Sequence, residues 1–61
     1  TIRLGSKGKG VRVLQALLYI NVTGEFDKST EDSCKYFQNK EKLVPDGICG
    51  PKTWGKILED L

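Results

Sequence analysis

Apolar residues recur at helical spacing in two stretches of this chain and, more thinly, in a third. Val11, Leu14, Leu17 and Leu18 fall at i, i+3, i+6 and i+7, the broad apolar face of a buried helix. Val13, Tyr19 and Ile20 widen that face, so the pattern predicts a first helix over Val11 to Ile20, central to a small bundle and stopped at Asn21. Trp54, Ile57, Leu58 and Leu61 fall at i, i+3, i+4 and i+7 and predict a helix from Pro51 to about Asp60. Between the two, the stripe Thr30, Cys34, Phe37 and Glu41 predicts a helix running to about Lys40 or Glu41, with Phe37 as its main anchor. Asp27 is placed to cap it by accepting from the N–H of Ser29 or Thr30. Glu31 and Asp32 suit its positive end, and Lys40 and Lys42 its negative end.

The breaks are as informative as the faces. Gly5-Ser6-Lys7-Gly8-Lys9-Gly10 reads as a loop, because three glycines in six residues oppose any helix. Its glycines and cations do not match the spacing of a phosphate loop, and no strand precedes them. Ile2 or Leu4 is expected to pin the N-terminus. Asp46-Gly47 is a turn dipeptide. Gly50-Pro51 puts a small residue at an N-cap and proline at the first helical position, where its missing N–H leaves no bond unmade. Ile48 and Cys49 lie between, so at least one should point inward.

The two turns are one device used twice. Gln15 and Gln38, Gly24 and Gly47, Thr30 and Thr53, and Ser6 and Ser29 are each 23 residues apart. Arg12 with Lys35, Leu14 with Phe37, and Ile20 with Leu43 keep the same offset. The fold class is therefore all-α: a small three-helix bundle with an internal pseudo-repeat, in which the second helix ends one half and begins the other. Cys34 takes the slot of Val11, and Cys49 that of Phe26, so both are expected in the core as small hydrophobes. Two free buried thiols or a disulfide both fit this spacing. Gln15 and Gln38 are expected to bond loop backbone, and Arg12 and Lys35 to sit on solvated faces.

Sixty-one residues make a single domain, 1–61, with a thin core. A net charge of +2 is too small to argue for nucleic acid or membrane. Without histidine there is no His-based acid–base chemistry or metal site, and two cysteines do not complete a zinc site. No apolar run approaches the roughly 20 residues of a membrane span. With no initiator methionine or signal peptide, the chain is expected to be a piece of a longer protein or a processed fragment.

Leu4-Gly5-Ser6-Lys7-Gly8, then Val11-x-x-Leu14-Gln15-x-x-Leu18, Gly24-x-Phe26, Phe37-Gln38 and Asp46-Gly47-Ile48-Cys49-Gly50-Pro51-Lys52-Thr53-Trp54 together closely resemble the small peptidoglycan-binding domains called PG-binding type 1. The resemblance runs from about Leu4 to Leu61. Family members usually have Asp-Gly at the first turn, here Thr23-Gly24, and a bulky apolar residue at the position of Cys49. The resemblance implies a three-helix bundle and a non-catalytic module without cofactor. It would anchor an attached amidase, peptidase, muramidase or phage lysin to bacterial cell wall, outside the cell. Its partners would be the glycan and stem peptide of peptidoglycan and the attached catalytic domain, with neither nucleic acid nor membrane. Cys49-Gly50-Pro51 looks slightly like the inhibitory cysteine segment of metalloprotease prodomains, which requires an exposed thiolate rather than an apolar slot.

A peptidoglycan binder needs an apolar or aromatic ledge, hydrogen-bonding groups and positive ends for carboxylates. The repeat places Gly50 where the first copy has the cap Asp27, which leaves the N-terminus of the third helix an open anion site beside Lys52. The candidate ligand-binding residues are Asp46, Gly47, Gly50, Lys52, Thr53 and Trp54. Trp54 could stack against sugar from the bundle edge or, more simply, build core, and Tyr19 and Tyr36 are similar edge candidates. Rival readings are weaker. Glu25, Asp27, Asp46 and Asp60 supply carboxylates, but a bundle this small has little room for a water-excluding cleft. A DNA-recognition helix from Pro51 to Asp60 would carry Lys52, Thr53 and Lys56 against Glu59 and Asp60, a thin basic footprint. A protein–protein interaction module on the same scaffold is the alternative.

Overall fold

The computed structural model describes residues 1–59 and contains three helices, α1 (Lys9–Leu17), α2 (Lys28–Lys40) and α3 (Pro51–Glu59), in the expected order. No strand forms among the described residues; the N-terminal segment makes two isolated antiparallel bridges, Ile2 with Cys49 and Lys7 with Glu25. Asp60 and Leu61, expected to close the third helix, lie outside the described residues.

The first helix is shifted from its expected Val11–Ile20. It starts two residues early, where Gly8 at φ 115 turns the chain and accepts from Arg12 N–H at 3.2 Å. Glycine at position 10 costs about 1 kcal/mol against alanine, which does not stop the helix from including it. The helix ends three residues early. Tyr19 takes a left-handed φ of 60, its N–H bonds to Ala16 O at 3.1 Å, and Ile20 N–H reaches Gln15 O at 3.1 Å. That is a Schellman closure, so the stop falls at Tyr19 rather than Asn21. α2 closes identically one repeat on: Lys42 has φ 61, and Leu43 N–H meets Gln38 O at 2.8 Å. Its start is capped as expected, with Thr30 N–H donating to Asp27 Oδ1 at 2.9 Å.

The core is Val11, Leu14, Phe26, Cys34, Cys49 and Ile57, with Ile2, Leu17, Leu18, Phe37 and Trp54 packed around it. Several expected roles change. Phe37 is only partly buried, and Cys34 is the apolar anchor of α2. Val13, Tyr19 and Leu58 do not widen the apolar faces: they are exposed, because helices this short turn one narrow stripe inward. Cys49 is the inward residue of the second turn, and Ile2 rather than Leu4 pins the N-terminus, exchanging two backbone bonds with Cys49 at 3.1 and 2.8 Å. Arg12 and Lys35 do more than face solvent. They lie over the buried glycines of the two turns, Arg12 over Gly24 and Lys35 with Glu31 over Gly47.

Candidate functional site

Each turn is hung from one buried glutamine. Gln15 Oε1 accepts the N–H groups of Thr23 and Gly24 at 2.9 and 3.0 Å. Its two amide hydrogens are shared among Thr30 Oγ1, Glu25 O and Thr23 Oγ1, all within 3.0 Å. Gln38 does the same one repeat later: Oε1 accepts from Gly47 N–H at 3.0 Å, and Nε2 faces Ile48 O, Thr53 Oγ1 and Asp46 Oδ1 at 2.9, 3.0 and 3.2 Å. Both glutamines are 1% exposed. Burying an amide is tolerable only when its bonds are made, and no buried side-chain polar atom among the described residues lacks a partner.

Each turn opens on a groove beside the following helix start, and the two grooves are pseudo-equivalent. The first, about 370 Å³, is lined by Gln15, Ile20, Asn21, Thr23, Asp27 and Ser29. The second, about 540 Å³, is lined by Gln38, Leu43, Val44, Asp46, Gly50 and Lys52 at the matching positions, and also by Lys42, Ile48, Pro51 and Thr53. The first is polar and closed by Asp27, whose carboxylate is spent on Thr30 N–H. That bond is the main cause of its pKa lying below the usual carboxylate value. In the second, Gly50 offers no side chain. Among the described residues, no side-chain oxygen accepts from the N–H of Lys52 or Thr53. Two lysines, Lys42 and Lys52, line this groove.

Of the sequence-predicted site residues, the structure brings Asp46, Gly50, Lys52 and Thr53 to this second groove. Gly47 lies behind it, buried at φ 77 with Glu31 and Lys35 overhead. Trp54 packs partly buried against the core. Asp46 is half engaged already, since its Oδ1 accepts from Ile48 N–H at 2.9 Å. Thr53 presents backbone only, because its hydroxyl serves Gln38. Sequence reasoning missed Lys42, Leu43 and Val44 as lining. The repeat carried the signal, since they match Tyr19, Ile20 and Asn21 at the first turn.

Cys34 and Cys49 are free and fully buried, the free-thiol member of the two alternatives. Burial, then the carboxylates of Asp46 and Glu31, pushes the Cys34 thiol up to about 11. Burial, with Cys34 beside it, pushes Cys49 up to about 12. Neither can be the exposed thiolate that an inhibitory cysteine segment needs. No group of three or more His, Cys, Asp or Glu side chains is placed to hold a metal ion, and no helix is long and apolar enough to cross a membrane, both among the described residues.

A family model described as a putative peptidoglycan binding domain matches residues 7–57. The zinc D-Ala-D-Ala carboxypeptidase of Streptomyces albus G is 33% identical over 67 aligned positions, covering 97% of this chain and 26% of the carboxypeptidase. An uncharacterised protein of the bpoA1 3′ region of Kitasatospora aureofaciens is 39% identical, over 82% of this chain and 48% of that protein. The crystal structure of a fused Zn-dependent amidase/peptidase/peptidoglycan-binding domain-containing protein from Clostridium acetobutylicum ATCC 824 superposes with a TM-score of 0.89 at 30% identity, over 92% of this chain and 28% of that one.

Proposed function

The chain belongs to the family of putative peptidoglycan binding domains, and from that premise we propose that it is a non-catalytic targeting module that holds an attached wall hydrolase against peptidoglycan, outside the cell membrane. The relatives support the arrangement: segments like this one make up 26% of a D-Ala-D-Ala carboxypeptidase and 28% of a fused amidase/peptidase. Catalysis in this reading belongs to the attached domain, which is an amidase, peptidase or muramidase of bacterial or phage origin.

The single observation that carries the site is the contrast between the two grooves, one closed by Asp27 and the other open at Gly50. A helix N-terminus flanked by cations attracts a carboxylate, and the stem peptide of peptidoglycan carries free carboxylates. In this proposal such a carboxylate lies against the N–H groups of Lys52 and Thr53, with Lys52 and Lys42 adding attraction. Leu43, Val44, Ile48 and Pro51 form the apolar ledge. Asp46 and Gly50 shape the mouth, while Gly47 and Trp54 support the rim from behind. Chemical-shift mapping with a soluble muropeptide tests it. The largest shifts are expected at Gly50 to Thr53; shifts elsewhere with those residues unmoved would overturn the assignment.

A further inference from the structure

A third recess, about 490 Å³, lies between the end of α1 and the outer face of α2. Leu18 and Phe37, both packed against the core, also line it, together with Tyr19, Tyr36, Ser33 and Lys40. Tyr19 is 94% exposed and Tyr36 74% exposed, so neither ring is held by the core.

The internal repeat acts as a control on what the scaffold requires. Residues that hang the turns are held by both copies, as with Gln15 and Gln38. The counterparts of Tyr19, Ser33 and Tyr36 are Lys42, Lys56 and Glu59. Lys42 adopts the same left-handed turn as Tyr19, φ 61 against 60, so the backbone at this corner does not call for an aromatic ring. Two unburied tyrosines therefore stand where the same fold is built elsewhere with charged side chains.

We propose that this recess binds a stretch of neutral N-acetylated glycan. The proposal rests on the wall-binding reading and deepens it by giving the sugar strand a site separate from the stem-peptide groove. A pyranose ring has an apolar C–H face that lies flat on an exposed aromatic ring, and a rim of polar groups. Exposed aromatics beside a few hydrogen-bonding side chains match that surface, and the volume is within the roughly 300–1,000 Å³ of small-ligand clefts. The charges favour a neutral occupant. Asp32, also on the rim, is met by Lys28 at 3.2 Å, which leaves one lysine, Lys40, and no field of a single sign. Ser33 and Lys40 can donate to an acetamido carbonyl, and Asp32 can accept from its N–H.

The test is an NMR titration of the chain with chitotetraose, with maltotetraose as the sugar lacking acetamido groups. Saturable shifts at Tyr19, Ser33 and Tyr36 are expected with chitotetraose. Y19K and Y36E, which import the residues of the other copy and so suit the scaffold, are expected to weaken binding at least about tenfold with the remaining spectrum unchanged. Wild-type protein silent at those residues, equal shifts with maltotetraose, or unaltered titration of both variants would overturn the proposal. A self-association that vanishes in Y19K would also overturn it, by giving the recess to a second copy. Retention on purified sacculi, read in parallel, separates the two ideas. Retention without chitotetraose shifts sinks the glycan recess alone, and loss of retention with those shifts sinks the wall-binding reading while upholding the recess.

Discussion

Gln15 and Gln38 each satisfy the backbone of one turn and the buried threonine of the next helix. Replacing Gln38 by Leu would leave Gly47 N–H and Ile48 O without their partner, and unmet buried polar groups cost about 1–3 kcal/mol each. Q38L is expected to lose about 3 kcal/mol in urea denaturation, a large share of the total for a domain this small. The thiols give a second expectation. An acid whose pKa rises on folding holds its proton more tightly when folded. Its contribution is whole below the ordinary thiol value of 9.0 and is lost as pH climbs towards about 11 for Cys34 and about 12 for Cys49. Denaturation midpoints should fall across that alkaline window and fall less in C49A, and native protein should resist iodoacetamide at pH 8 until unfolded. The glutamine roles were legible in the sequence because both copies repeat them. The exposure of Tyr19 was not, since helical periodicity cannot signal that a tyrosine will take a left-handed φ.

Helix existence and order followed from periodicity and punctuation, and α2 also kept its cap at Asp27. The boundaries of α1 did not follow. Its start is set by Gly8 and its end by a closure whose left-handed residue is not glycine, so composition placed the start inside the helix and the end beyond it. Glycines make this scale testable. Gly47 sits at φ 77, and a Cβ there would lie 2.9 Å from Glu31 Cγ. G47A is expected to destabilise by about 2 kcal/mol, from the left-handed backbone and the collision together. Gly55, within α3, has nothing within 4 Å of an added Cβ, and G55A is expected to stabilise by about 1 kcal/mol. Thermal melts of the two variants should move in opposite directions.

At the scale of the whole molecule, the N-terminal lead-in ties the halves together: Ile2 pairs with the second turn through Cys49, while Gly5 and Ser6 pair with the first through Phe26. That stitch was only partly legible, as a wish to bury Ile2 or Leu4, because bridges between distant segments leave no periodic trace. The site was legible as a difference between copies, Gly50 in place of Asp27. Its lining by Lys42, Leu43 and Val44 needed the fold. The same difference supplies the decisive variant. Gly50 is not in a left-handed conformation, and an added Cβ would meet only Thr1 Oγ1, at 3.9 Å. G50D would therefore give α3 the cap that α2 already has, filling the open helix start with a carboxylate of its own. Cosedimentation of wild type and G50D with purified peptidoglycan sacculi is the most direct measurement. G50D is expected to melt no lower than wild type yet to be retained at least about tenfold less, a loss of about 1.4 kcal/mol or more; a well-folded G50D retained as firmly as wild type would rule out the open helix start as the carboxylate site.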